Sequence, residues 1–342
     1  MSYSRAAAGR WLLHSGIQEP SGGFARYYDA EARTNKPVST EISGYAASTL
    51  VYLFRMTGDE EFLDGARRTA QFLMSAWDRE SGVFPFEYPS PSPKSEHRAY
   101  FFDSGIIIRG LLAVWRETSG DELLEAAREA AHGMIRDFRA DQDFHPILTL
   151  PEKTPLPRAG KWSHAPGCYQ LKAAMAWWDV AEITGDNSLR DAYLEMVDWA
   201  LTAHACFLRS AAGPYDTMDR LHAYAYFLEG LLPVIERPEC RAAFEAGITA
   251  MDQGIRDTEN TFVRSDVLAQ WLRARFFLNK CSGGEDRRRY NLAAFQDAGG
   301  GFWFGRRDGQ ISPQLNPVST AFALQALDME TGEKPPCLRM LI

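Results

Sequence analysis

Apolar residues recur at spacings of three and four along most of this chain, and this spacing predicts α-helices. The segment 40–56 shows it clearly, with apolar residues at Ile42, Tyr45, Ala46, Leu50 and Leu53. Gly58 is suited to end that helix, because glycine readily takes the left-handed conformation, and Asp59 can cap the next one. A second helix is predicted over 60–77. The two together form a helical hairpin.

The hairpin pattern recurs along the whole chain, which indicates a repeat architecture. The predicted first helices of the pairs span 40–56, 99–117, 165–183, 217–236, 262–280 and 316–330. The predicted second helices span 60–77, 122–139, 188–206, 239–256 and 285–296. No second helix is predicted after 316–330, the last of the first helices. The predicted N-terminal helix 3–14 is therefore available as the sixth outer partner and can close a ring.

The two kinds of helix differ in polarity. The stretch 101–115 is apolar nearly all round, as expected for a buried helix, whereas 121–139 is charged on one face. We therefore predict an all-α protein, an (α/α)6 toroid in which a double ring of helical hairpins forms one domain over 1–342. Its long connections, with short strands in them, lie at the N-terminal ends of the inner helices, where we expect the pocket. These connections are 78–98, 140–163, 207–216 and 297–315.

Composition narrows the function classes. The net charge of −8 argues against a nucleic-acid partner. Five cysteines, without a C-x-x-C pair, favour a reducing compartment over a disulfide framework or structural zinc. Neither a signal peptide nor a membrane span is evident, so we expect a cytoplasmic protein with no membrane partner. No phosphate-binding loop or metal-ligand spacing is present, and we expect no cofactor and no metal.

Two loops share the pattern Q-x-x-x-G-x-F, at Gln18 to Phe24 and at Gln296 to Phe302. The pattern resembles the repeats of terpenoid-cyclase and protein-prenyltransferase toroids, and the glycine-rich loops of six-hairpin carbohydrate-active enzymes. We expect a structural role in which glutamine caps a helix end and the aromatic ring fills the seam between hairpins. The segment 216–219 does not match the aspartate cluster of the cyclases, and the zinc ligands of the prenyltransferases have no counterparts.

Two helix starts carry a second resemblance. The segment Ser39 to Tyr45 looks like the helix start of toroid proteins associated with bacterial polysaccharide metabolism. The segment Phe102 to Gly105 is similar to the helix start that carries an aspartate in unsaturated glucuronyl hydrolases. These resemblances imply a saccharide ligand.

The inner-helix starts supply the candidate site. Glu41 and Asp103 form the leading acid–base pair, since two carboxyls in different environments can divide these roles. Helix capping is the alternative role for both. His164, Asp219 and His222 are candidate assisting groups; Asp219 and His222 share a helix face. Further residues complete the site as candidates for substrate binding. They can stack on sugar rings or bind the hydroxyls or carboxylates of a sugar: Tyr45, His97, Arg98, Trp162, Tyr169, Asp216, Arg264, Asp266, Gln314 and Asn316.

Three functions remain open on sequence alone. The leading one is an enzyme that hydrolyses a glycosidic bond, with a uronic-acid lyase or epimerase using histidine as a close variant. The second is an isoprenoid cyclase-like enzyme, which requires an apolar, aromatic cavity. The third is a non-catalytic carbohydrate-binding or polysaccharide-assembly factor. The oligomeric state is left open.

Overall fold

A computed structural model describes residues 3–89, 97–278, 291–330 and 337–342. The helices in these ranges are α1 Arg5–His14, α2 Thr40–Thr57, α3 Glu60–Ala76, α4 Phe101–Thr118, α5 Asp121–Phe138, α6 Gln170–Thr184, α7 Asn187–Phe207, α8 Pro214–Leu231, α9 Pro238–Thr258, α10 Ser265–Phe277 and α11 Pro317–Glu330. The alternation of first and second helices is as predicted. Most of the predicted helix 285–296 lies outside the described residues, which show a 3₁₀ turn at Leu292–Phe295.

Short strands occupy the connections. They are β1 Phe24–Ala25, β2 Tyr28–Asp29, β3 Thr34–Asn35, β4 Val38–Ser39, β5 Arg98–Tyr100, β6 Ile147–Thr149, β7 Thr154–Pro155, β8 Phe262–Arg264, β9 Gly305–Arg307, β10 Gln310–Ile311 and β11 Gln314–Leu315. All their pairings are antiparallel: β1 with β4, β10–β9–β8, β11–β2–β3 and β5–β6–β7.

Three of the helix boundaries that differ from the prediction have clear physical causes. Helix α10 begins three residues later than predicted because 262–264 pair with β9 as a strand. Helix α6 begins at Gln170, after Pro166 and Gly167, and proline disfavours helical geometry in the residue before it. Helix α8 ends at Leu231 because Pro233 lacks the N–H that an α-helix needs, and a short 3₁₀ turn follows.

The chain forms two compact units, each assembled from segments that are distant in sequence. The first consists of 1–17, 26–36 and 205–342, and the second of 18–25 and 37–204. We call them the C-terminal unit and the N-terminal unit. The single domain over 1–342 stays a prediction. No helix in the described ranges is both long enough and apolar enough to cross a membrane.

In the N-terminal unit, α4 packs between α2 and α6. Glycine makes this close approach possible: a Cβ on Gly105 would lie 2.3 Å from the carbonyl oxygen of Ala173 in α6. The buried pair Arg109 and Asp179 joins the same two helices, with 2.8 Å between Nε and Oδ2. The starts of α2 and α4 are thereby held on a rigid layer.

In the C-terminal unit, α10 packs against α8 and α11, and α1 packs on α11. Arg5 of α1 forms an ion pair with the buried Asp328 of α11 at 2.8 Å. Helix α1 therefore occupies the outer position beside α11, as predicted for the sixth outer helix.

The glutamines of the two Q-x-x-x-G-x-F loops make equivalent contacts. Gln18 donates from Nε2 to the Gly65 carbonyl (3.0 Å) and to Thr69 Oγ1 (2.9 Å), both in α3. Gln296 donates from Nε2 to the carbonyl of Ser4, the N-cap of α1, at 2.9 Å. Each glutamine thus ties its loop to an outer helix, but only Gln296 does so at a helix end, as expected; Gln18 contacts the middle of α3.

The phenylalanine at the end of each of these loops contacts an inner helix. The N–H of Phe24 donates to Ser43 Oγ in α2 (2.9 Å), and the N–H of Phe302 donates to Thr320 Oγ1 in α11 (2.9 Å). Both rings are fully buried. Each loop therefore connects one outer helix to the inner helix that follows the loop in sequence.

Candidate functional site

The leading carboxyl pair lies at two neighbouring helix starts of the N-terminal unit. Glu41 is the second residue of α2 and Asp103 the third of α4, each helix following directly on a short strand. The segment 85–88 lies between these starts and is hydrogen-bonded to both. The N–H of Thr40 donates to the Phe86 carbonyl (3.2 Å), and the N–H of Phe86 donates to the Arg98 carbonyl (2.8 Å). The backbone therefore fixes the two carboxyls relative to each other.

Burial governs the protonation of this pair. Glu41 keeps some accessible surface yet lies deep among protein atoms, and burial raises its pKa to about 7. Asp103 is only 5% exposed, and burial together with the nearby Glu41 charge raises its pKa well above the ordinary value. Among the described residues, Asp103 Oδ2 has no hydrogen-bond partner. The helix dipole favours ionised carboxyls here, but the loss of solvation outweighs it.

Tyr100 completes the immediate surroundings of the pair. Burial raises the pKa of its hydroxyl, and the negative charges of Asp103 and Glu41 raise it further. The side chain of Arg98 forms a hydrogen bond with the same hydroxyl. Tyr100 therefore stays neutral and can donate its proton in a hydrogen bond. Tyr45 is buried one helical turn after Glu41, on the same face. The site thus combines two acids, two phenols and one guanidinium.

Sequence reasoning missed Tyr100. It is the residue just before α4, three positions from Asp103, and it occupies an N-cap position without a side-chain cap bond. The N-cap position usually carries a short polar residue. The aromatic ring at this position was therefore the sequence signal for a role other than capping.

His97 and Arg98, predicted to bind an anionic group together, have different surroundings. Arg98 contacts Tyr100, whereas His97 is exposed and lines a groove formed with Tyr88 and Leu150. Consecutive residues of an extended segment point to opposite sides. The structure therefore assigns only Arg98 to the surroundings of the carboxyl pair.

Trp162, His164 and Tyr169 hold one loop together. The Trp162 and Tyr169 rings meet edge to face at 5.4 Å, and the Tyr169 hydroxyl donates to the Ala165 carbonyl at 3.1 Å. His164 donates from Nδ1 to the Ala159 carbonyl at 3.2 Å. These contacts are those of residues that hold the loop in place. Binding roles for the three stay predictions.

A second cluster forms in the C-terminal unit around Arg264, at the end of β8. Arg264 donates from Nη1 to Asp219 (2.9 Å), and from Nε and Nη2 to Asp266 (3.0 and 2.7 Å). His222 donates from Nδ1 to Gln270 Oε1 at 2.8 Å, and its Nδ1 lies 3.7 Å from Asp266. The structure thus brings together four predicted residues, although Asp219 and His222 are linked through Arg264 and Asp266.

Electrostatics keep His222 neutral. Burial, reinforced by the Arg264 charge, lowers the pKa of His222 to about 4. Arg264 outweighs the effect of burial on Asp266 and lowers the pKa of that carboxyl. Because the Nδ1 proton is held by Gln270, the Nε2 lone pair of His222 is available to accept a proton. Gln270, fully buried, was missed by sequence reasoning because it lies a full turn into α10.

Three further candidates in the C-terminal unit have structural contacts. Asp216 Oδ2 accepts from Arg220 Nε at 3.0 Å and from the Ala212 N–H at 2.9 Å. Asn316 Oδ1 caps α11 by accepting from the Val318 N–H at 2.8 Å. Gln314 lies in β11, paired with β2. Their proposed contacts with substrate stay predictions.

The chain resembles solved toroid structures over nearly its whole length. D-mannose isomerase matches with a TM-score of 0.72 and 11% identity, over 94% of this chain and 96% of the isomerase. Cellobiose 2-epimerase from Spirochaeta thermophila matches with a TM-score of 0.64 and 15% identity, over 96% and 97%. A family 76 glycoside hydrolase from a bovine Bacteroides thetaiotaomicron strain matches with a TM-score of 0.59 and 12% identity, over 95% and 78%.

At these identities the likeness concerns the fold. The chain has the (α/α)6 toroid fold, and the predicted fold class is confirmed. No protein-family profile matches the sequence, and no curated protein matches it.

Proposed function

We propose that the protein is an enzyme that acts on a saccharide through acid–base chemistry of Glu41 and Asp103. The observation that carries the proposal is the burial of two carboxyls at neighbouring inner-helix starts, which raises the pKa of both and that of Glu41 to about 7. Two neighbouring carboxyls of raised pKa can share one proton, so that one acts as acid and the other as base. Acid–base catalysis at neutral pH requires such tuned groups.

Hydrolysis of a glycosidic bond is the leading reaction. Asp103 donates its proton to the glycosidic oxygen as the bond from that oxygen to the anomeric carbon breaks. Glu41 accepts a proton from the water that forms the new bond to the anomeric carbon. Tyr100 and Arg98 bind substrate oxygens beside the pair. Both carboxyls regain their starting states when the proton on Glu41 returns to Asp103 through solvent.

Epimerisation or isomerisation of a sugar is the second candidate, with a lyase reaction on a uronic acid as its variant. It is favoured by His222, which is neutral near pH 7 and oriented by Gln270. In this reaction Nε2 takes the proton from the carbon next to the carbonyl group, and an acid returns a proton to the enediol intermediate. The epimerase and isomerase among the similar structures agree with this candidate, but only through the fold.

The other two hypotheses are less well supported. An isoprenoid cyclase requires an apolar cavity, whereas both clusters combine buried carboxyls with a guanidinium group. A carbohydrate-binding factor without activity does not need two neighbouring carboxyls whose pKa values are raised by burial.

One experiment separates these reactions. The protein is incubated in D₂O with monosaccharides, neutral oligosaccharides and uronate oligosaccharides, and products are followed by NMR. New reducing ends indicate hydrolysis, deuterium at C2 indicates epimerisation or isomerisation, and a new carbon–carbon double bond indicates a lyase. Loss of turnover in Asp103→Asn, with a folded protein by circular dichroism, supports the proposed pair. Absence of any turnover refutes an enzymatic function on these saccharides.

A further inference from the structure

We propose that a groove in the N-terminal unit, between the loop 78–89 and Leu150–Pro151, binds a neutral sugar residue of an oligosaccharide away from the Glu41–Asp103 pair. The inference rests on the proposed function for the nature of its ligand. The groove encloses about 410 Å³, which is within the range of small-molecule sites.

The walls of the groove are apolar and stiff. Pro85, Pro89 and Pro151 line it together with Val83 and Leu150. Proline fixes one backbone angle and has few side-chain conformations, so little entropy is lost when a ligand binds. The groove can therefore accept a ligand without first becoming ordered.

Tyr88 supplies an aromatic face at the opening. It is one of the most exposed large hydrophobic side chains of the described part of the chain, at 36%. Its ring is held by an edge contact with Phe72, at 6.1 Å between ring centroids. An aromatic ring that is fixed yet open to solvent can stack on the C–H face of a sugar while its hydroxyl stays hydrated.

Polar groups in the groove suit the hydroxyls of a neutral sugar. Asp78, Glu87 and His97 line it beside the apolar wall. Hydrogen bonding to Ser81 and to the Glu80 N–H lowers the pKa of Asp78, so this carboxylate is charged at neutral pH. Two carboxylates can accept bonds from sugar hydroxyls and disfavour a uronate or sulfate by repulsion.

Different residues of the segment 85–88 face the groove and the surroundings of the carboxyl pair. Phe86 packs against Tyr100, with 5.1 Å between ring centroids, and so faces the side of Asp103. Pro85 and Glu87, its chain neighbours, line the groove. Binding in the groove is therefore separable from chemistry at the pair.

The test uses the full-length Asp103→Asn protein, so that ligands are not consumed. Cello- and manno-oligosaccharides of one to six residues are titrated by calorimetry, and contacts are mapped by saturation-transfer NMR. In this background Tyr88→Ala weakens binding of the longer oligosaccharides about tenfold, and Tyr88→Phe, which keeps the ring, restores it. Tyr215→Ala removes a comparably exposed ring, 42% accessible, from the C-terminal unit and leaves the affinity unchanged.

A second variant protects the test against a folding defect in Tyr88→Ala. His97 is exposed, so His97→Ala should fold, and it is expected to weaken the same oligosaccharides severalfold. Unchanged affinity in both variants overturns the proposal that the groove binds a sugar. The proposed function survives that result if the wild type still turns over a saccharide. If the wild type turns over none and the Asp103→Asn protein binds none, the proposed function fails and the groove with it.

Discussion

The charge of Glu41 raises the pKa of Asp103 beyond what burial alone produces, whereas burial by itself brings Glu41 to about 7. The two carboxyls therefore titrate as a pair, in which a charge on one disfavours a charge on the other. Because the Glu41 charge adds to burial in raising the Asp103 pKa, the proposal gives Glu41 the role of base and Asp103 the role of acid.

The pH dependence of kcat/KM tests that assignment. Activity is expected to rise as pH increases through about 7, because Glu41 must lose its proton to act as base. It falls at higher pH, when Asp103 loses its proton. Initial rates between pH 5 and 10 on the best substrate give the profile. A rate that is constant from pH 5 to 8 contradicts the assignment.

The variants of the pair make a second prediction. Asp103→Asn and Glu41→Gln should each lower kcat/KM roughly 10²–10⁴-fold, because each removes one proton-transfer group. The double variant should lose little more than the worse single one, since the pair acts as a unit. Steady-state kinetics measure the losses, and thermal unfolding checks the fold. Additive losses argue against joint action.

Glu41 also affects stability in a pH-dependent way. Its folded pKa is raised from 4.5 to about 7, so the folded state binds more protons than the unfolded state between these values. Stability therefore falls as pH rises through that window. At roughly 1.4 kcal/mol per pKa unit the loss is at most about 3.5 kcal/mol.

Urea unfolding at pH 5 and pH 8 measures this effect. Glu41→Gln has no titratable carboxyl at position 41. The stability of this variant should therefore change less between the two pH values than that of the wild type. The matched control is Glu125→Gln, which alters an exposed carboxyl on α5 and should behave as the wild type does. Equal pH dependence in wild type and Glu41→Gln would mean that Glu41 is not desolvated.

Arg264 determines the charge state of the second cluster. Arg264→Met should raise the pKa of His222 from about 4, because it removes the positive charge that acts together with burial. It should also destabilise the protein by about 3–5 kcal/mol, since Asp266 is left buried without its partner. NMR titration of the His222 ring gives the pKa, and urea unfolding gives the stability. An unchanged His222 pKa would leave burial as the sole cause.

The sequence predicted the helical hairpins because their signals are local. Gly58 ends α2 with φ of +72°, and Asp59 accepts from the Glu61 N–H, as the turn pattern indicated. The start of α10 was predicted too early because strand pairing with 305–307 overrides the helical periodicity. That pairing joins residues about 40 positions apart and leaves no local signal in either segment.

The sequence predicts the types of residue in the candidate site, but not their contacts or their protonation. Glu41 and Asp103 could be located from helix starts, but their protonation depends on burial by residues distant in sequence. Gln270 was missed because its contact with His222 spans 48 positions. Asn316 was predicted as a binding residue, yet its contacts are those of a helix cap, which the same residue type at the same position also predicts.

The two loop glutamines provide a test of the repeat itself. Gln18→Ala and Gln296→Ala should each destabilise the protein by about 1–3 kcal/mol, because acceptors on the outer helices lose their donor. Gln18→Ala should cost more, since its bonds to Gly65 and Thr69 are buried, whereas the bonds between Gln296 and Ser4 are only part-buried. Urea unfolding measures both, with the exposed Gln310→Ala as control, expected within about 0.5 kcal/mol of wild type. If neither loop variant differs from that control, the glutamines do not fasten the hairpins, and the shared motif has no structural function.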